Sequence, residues 1–251
     1  MTAINVFLRR DRAIMMTDAA MYTPQGVIVG FGQKAVAMPR QRAVIACRGA
    51  QKVTALLAME LSITYPSFDA MAENAEADLR TYHEQHLMEL AALGMQDINV
   101  VVAGWSDRIN GPAGFYYDST VDVFGMVDGF VGGPLINDEE LDNLHSIECE
   151  IDVDVAVADF DPIRHGIPFM EAQRRMRIEV SDIADPISIV GGHILLTDVT
   201  RDGVSQRVIH EWPDEVGAPI EPVPFKATPP VGLSRQQRRA MEREARKRQA
   251  V

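Results

Sequence analysis

Lysine is scarce in this chain: Lys34, Lys52, Lys226 and Lys247 are the only four in 251 residues, and the other basic side chains are arginines. Cysteine is scarcer still. Cys47 and Cys149 show neither metal-ligand spacing nor a disulfide-rich context, so they read as reduced thiols. No apolar run approaches the roughly 20 residues of a membrane-spanning helix. Arg9, Arg10 and Arg12 interrupt the first apolar run too early for a secretory signal. Gly191-Gly192 lacks the following Lys and the long spacing of a phosphate loop. His83 and His86 stand three apart on a predicted helix but lack a third ligand at suitable spacing, and His145, His165, His193 and His210 are isolated. These absences predict a soluble, cytoplasmic protein with no metal, no other cofactor and no membrane partner.

What is present is unevenly charged. The net charge is -12, yet residues 234–251 hold seven Lys or Arg against two Glu. A basic tail on an acidic body implies a segment with its own task. Between them, residues 213–233 carry prolines at 213, 219, 222, 224, 229 and 230 and read as an extended linker. The tail opens on a capping-box pattern, Ser234 to Gln237, and Ala240, Met241 and Ala245 give it a thin apolar face. It reads as a short helix, either solvated or contacting an acidic partner or nucleic acid. Residues 1–212 are then the folded domain, with no internal repeat.

The chain begins Met1-Thr2. Removal of an initiator methionine would leave Thr2 with a nucleophilic hydroxyl and a free α-amine able to serve as its base. Thr in that position is also common without consequence. Ala3–Leu8 and Ala13–Met16 are short apolar runs around the polar Arg9-Arg10-Asp11-Arg12, which predicts a hairpin. Folded about Arg10, the pair sets Leu8 against Arg12 and Thr2 against Asp18. Asp18 reads equally as the opening of a polar loop. Lys34 follows the strand candidate Gly26–Phe31, where a compact charge can tune a neighbouring amine or simply meet solvent.

Thr2, Asp18 and Lys34 stand, with no gap needed, at the mutual spacings of the nucleophile, acid and lysine of proteasome β-type subunits and their bacterial relatives. The chain resembles this family of N-terminal-nucleophile (Ntn) hydrolases. Ala43–Gly49 is similar to the family's strand that runs into a glycine, and a helix from Ala50 to about Ile63 follows. Pro66 ends that helix, Ser67 caps a second one running to about Leu93, and strands are predicted at Asp97–Gly104 and Gly114–Asp118. A third helix fits Phe169–Ile178, with strands at Ser188–Thr197 and Val204–Trp212. This order matches an α+β fold, and the resemblance implies the four-layer αββα sandwich of Ntn hydrolases.

The resemblance implies a threonine-type peptidase or amidohydrolase acting on a peptide or protein substrate within a homo-oligomer. The resemblance makes Thr2 the nucleophile, Lys34 the charge that tunes its amine, Asp18 the acid that holds Lys34, and the Gly49 N–H the oxyanion donor. An ungapped alignment sets Arg48, not Gly49, at the family's oxyanion glycine. The family also supports its nucleophile with a later aspartate and two serines. Asp185 and Ser188 are the nearest counterparts to part of that set, whereas Gly132-Gly133 stands without a serine. The alternative is a non-catalytic structural or assembly subunit that keeps the fold.

Overall fold

In a computed structural model of the chain, residues 2–48, 51–92, 97–146, 159–179 and 186–224 are described. They form twelve strands in three antiparallel sheets, with four α-helices. The first sheet takes the order β10-β1-β2-β11-β12, from β1 (Ile4–Leu8), β2 (Ala13–Thr17), β10 (Phe130–Gly133), β11 (His193–Thr200) and β12 (Gly203–Glu211). The second takes the order β5-β6-β7-β8-β9, from β5 (Ala35–Met38), β6 (Ala43–Arg48), β7 (Asn99–Ser106), β8 (Gly111–Asp118) and β9 (Val123–Met126). A two-stranded ribbon, β3 (Ala20–Tyr22) with β4 (Ile28–Phe31), completes the set.

The hairpin β1–β2 forms, but one residue out of the expected register. Leu8 pairs with Ala13 and Ile4 with Thr17. The Arg9 N–H donates to the Arg12 carbonyl at 2.9 Å, which leaves Arg10-Asp11 as the tip. A one-residue slip normally turns an apolar face to water and is thereby resisted. Here β1 is buried on both faces up to its last residue and β2 throughout, so alternation does not discriminate between registers. The turn decides, and Ala3 rather than Thr2 falls level with Asp18.

Three apolar clusters account for the stacking. Val53, Leu57 and Leu61 of α1 (Gln51–Thr64) and Met71, Ala75 and Leu79 of α2 (Phe68–Ala92) meet Ile45, Val100 and Val102 of the second sheet. Their spacing of four residues keeps each set on one helix face. The Ser67 hydroxyl accepts the Ala70 N–H at 3.2 Å and caps α2 as expected. A Cβ on Gly104 would strike the Phe68 ring, so glycine lets α2 approach β7 this closely.

Ile4, Val6 and Met15 of the first sheet meet Val44, Ala46 and Ala103 of the second. On the opposite face of the first sheet, Phe7, Ile14 and Leu196 pack with Phe160 and with Met170 of α4 (Ile167–Arg175). Phe7 and Phe160 stack with ring centroids 3.6 Å apart. Helix α3 (Asp138–Ser146), which the sequence pattern did not announce, packs Leu144 against Phe169 and Ala172.

Part of the expected linker is packed. Asp214 pairs with Arg174, Pro219 bridges to Val27, and Ile220 is buried with Ala20 and Ile28. The folded part therefore extends past residue 212 to at least Ile220. Prolines there fix an extended path along the ribbon instead of a free spacer. The basic tail, residues 234–251, lies outside the described residues.

Candidate functional site

Asp18 follows β2 directly, and Lys34 immediately precedes β5. The Lys34 Nζ donates to both Asp18 oxygens, at 2.9 Å and 2.8 Å. The pair is withdrawn from water, with Asp18 1% and Lys34 7% exposed. Isolated burial of either charge would be costly, and the bidentate contact offsets that cost.

The carboxylate is held from two further directions. The Ala3 N–H donates to Oδ1 at 3.0 Å, and the Gly191 N–H approaches Oδ2 at 3.3 Å. Ala3 N is bonded to the Thr2 carbonyl carbon, so these contacts place the Lys34 ammonium within roughly 8 Å of the Thr2 Cα. Thr2 itself is 3% exposed. The structure thus gathers Thr2, Asp18 and Lys34 at one end of the hairpin, through Ala3 and not through a Thr2–Asp18 pairing. Burial, and to a lesser degree the Asp18 charge, push the Tyr22 phenol above its ordinary range.

Gly191 falls inside the predicted strand Ser188–Thr197, but the strand itself starts only at His193, which leaves Gly191 in the loop before it. Its carbonyl accepts the N–H groups of Ala19 and Ala20, both at 3.0 Å, so it brackets Asp18 from both sides. Behind it stands a buried ion pair. Arg174 donates to Asp214 at 2.8 Å and 2.6 Å and to the Val190 carbonyl at 2.9 Å, and its guanidinium lies over the Trp212 ring at 4.9 Å. The Gly192 N–H donates to the same Asp214 at 2.7 Å. A Cβ on Gly191 would come within 2.6 Å of the Asp214 carboxylate. Nothing in the sequence pattern links Arg174 with Asp214, because the pair joins segments 40 residues apart.

On the other side of β1, Asn5 and Gln173 exchange amide hydrogen bonds at 2.7 Å and 3.0 Å. Both side chains are fully buried, and they fix α4 against β1, the strand that follows Thr2. Ser188 is buried, and its hydroxyl has no partner among the described residues. Gly49 and Asp185 lie outside the described residues. Arg48 ends β6, with its guanidinium against the Cα of Gly133.

No protein-family model matches the chain, and no curated protein matches it significantly. No helix among the described residues is long and apolar enough to cross a membrane. The functional reading therefore rests on the site's own geometry and on the resemblance of its residues.

Proposed function

We propose that this protein is a proteasome-like threonine hydrolase that cleaves peptide or amide bonds once Thr2 is exposed by loss of Met1. The observation that carries the reading is the buried Lys34–Asp18 pair, bonded through Asp18 to the amide directly after Thr2. A hairpin core has no need of a buried ammonium, and a fixed cation beside an α-amine is what an amine acting as base requires. The arrangement of α1 and α2, two stacked sheets, and α3 with α4 also supports an αββα sandwich of Ntn type.

In this reading the Thr2 hydroxyl attacks the carbonyl carbon while its own α-amine takes the proton, directly or through water. The proton passes to the leaving amine, and water then hydrolyses the Thr2 ester. A free α-amine titrates at about 7.7–8.0, near working pH. The Lys34 charge favours the neutral amine, and Asp18 holds that lysine in place. The Gly49 N–H is the proposed oxyanion donor.

The low exposure of Thr2 and the presence of Arg48 beside Gly49 favour a second reading, a non-catalytic subunit that keeps the fold. Peptide-hydrolysis assays, paired with intact mass to establish loss of Met1, separate the two. Activity abolished by Thr2→Ala supports the hydrolase. Activity surviving Thr2→Ala, or absent while Thr2 is N-terminal, removes it.

A further inference from the structure

Helix α1 carries a second apolar stripe that the core does not use. Val53, Leu57 and Leu61 meet the second sheet, whereas Leu56, Met59 and Ile63 line a groove on the outer side. Their spacing of three and four residues is that of one helix face. Met59 is 56% and Ile63 75% exposed, so nothing in the described fold covers the stripe. Tyr82 and His86 of α2 form the other wall, and the groove has two adjoining hollows of about 300 and 360 Å³. Glu60 lines the first hollow, and Lys52 and Glu89 the second. Apolar side chains at such spacing, beside a hollow between two helices, suit an amphipathic helix from another chain.

The sequence itself holds a segment of matching charge. Together α1 and α2 carry seven Asp or Glu against two Lys or Arg. Residues 234–251 carry the reverse, seven Lys or Arg against two Glu. In that tail Met241 and Ala245 stand four apart, on one face of a helix. Methionine is the apolar side chain that adapts most readily to an irregular hollow.

Where the packed chain ends decides whose tail reaches the groove. The Glu221 carbonyl accepts from Arg174 of α4 at 3.5 Å, and the described chain stops at Pro224. Helix α4 packs on the first sheet, so both sheets lie between it and α1 with α2. Layers spaced about 10 Å apart put the groove on the order of 30 Å away in a straight line, and well beyond that round the surface. Residues 225–233 span at most about 32 Å when fully extended. A tail therefore falls short of the groove of its own chain, whereas the groove of another copy carries no such limit.

We propose that the α1–α2 groove of one copy receives the basic tail of another copy of this chain. Met241 fills the apolar hollow, and the tail arginines lie against the acidic helices. Each copy offers one tail and one groove, so the contacts close into a dimer or a ring. This contact stands whether or not Thr2 is a nucleophile.

The test uses full-length protein freed of nucleic acid, with a benzophenone side chain at position 241. Isotope-labelled and unlabelled copies are mixed before irradiation, so the mass of each cross-linked peptide pair tells whether it joins two chains. Cross-links from the tail of one copy to residues 56–63 or 82–90 of the other are expected. Sedimentation of the unmodified protein should show self-association that weakens about tenfold or more in Met241→Glu and in Ile63→Glu. Added salt should weaken it as well. Ile63 is exposed, so its variant should keep the wild-type unfolding midpoint. A protein that stays monomeric, association unchanged by either substitution, or cross-links confined to other surfaces would overturn the proposal. Cross-links within single chains would overturn it too, by giving the groove to the chain's own tail. Association seen only while nucleic acid is present would assign the tail to nucleic acid and also overturn it.

Discussion

The Lys34 ammonium lies 2.9 and 2.8 Å from the two oxygens of Asp18, and that carboxylate also receives the N–H groups of Ala3 and Gly191. The two partners are therefore not equivalent. Asp18→Ala strands a buried cation and two backbone donors, and should cost roughly 3–5 kcal/mol of stability. Lys34→Met leaves a carboxylate that keeps both backbone donors, and should cost distinctly less. Urea denaturation of the two variants and of the double variant checks this, with the double expected to be more stable than Asp18→Ala alone. Equal losses in the single variants would show that the backbone contacts contribute little.

The Arg174–Asp214 pair acts on the same site from behind. Gly191→Ala forces a methyl group against the Asp214 carboxylate and moves the N–H that Asp18 uses. Such crowding typically costs about 1–3 kcal/mol. Arg174→Met should cost roughly 3–5 kcal/mol by leaving Asp214 buried and unpaired. Thermal unfolding monitors both variants, and amide exchange at Ala19 and Ala20 should quicken in each, since both donate to the Gly191 carbonyl.

Much of this fold is legible in the sequence, because apolar runs and punctuation carry it. Ser67 caps α2 as expected, and β6, α1 and β7 fall within a few residues of their predicted spans. The hairpin register is not legible, since Ile14, Met15 and Met16 are buried whichever way they face. Helix α3 escapes notice because it is only nine residues long, and Leu141 and Leu144 are its two large apolar residues. At the site, Thr2, Asp18 and Lys34 are visible through their spacing alone. Arg174, Asp214 and Gly191 are not, because a long-range ion pair leaves no local pattern.

Truncation separates packed chain from tail. Ending the protein after Pro224 keeps the Asp214 pair and the buried Ile220, and should leave the unfolding midpoint within a few degrees of the full-length value. Ending it after Trp212 removes both and should lower the midpoint sharply. Matching midpoints for the two truncations would show that residues 213–224 contribute no stability.

Cys47 faces the helical layer, and burial pushes its thiol up to about 12. Because the reactive species is the thiolate, Cys47 should resist alkylation in the folded protein at pH 8 and react once urea unfolds it. Peptide mapping after iodoacetamide treatment reads this directly. Rapid native labelling of Cys47 would mean that the packing of α1 on β6 opens readily.

The most direct measurement of the central claim is covalent labelling of protein whose intact mass shows Thr2 at the N-terminus. The probe is a peptide electrophile that reacts with a hydroxyl and its adjacent α-amine together. A single adduct on Thr2 is expected, lost in Thr2→Ala and strongly slowed in Lys34→Met. An unlabelled Thr2, or an adduct that persists in Thr2→Ala, would contradict the assignment of Thr2 as nucleophile.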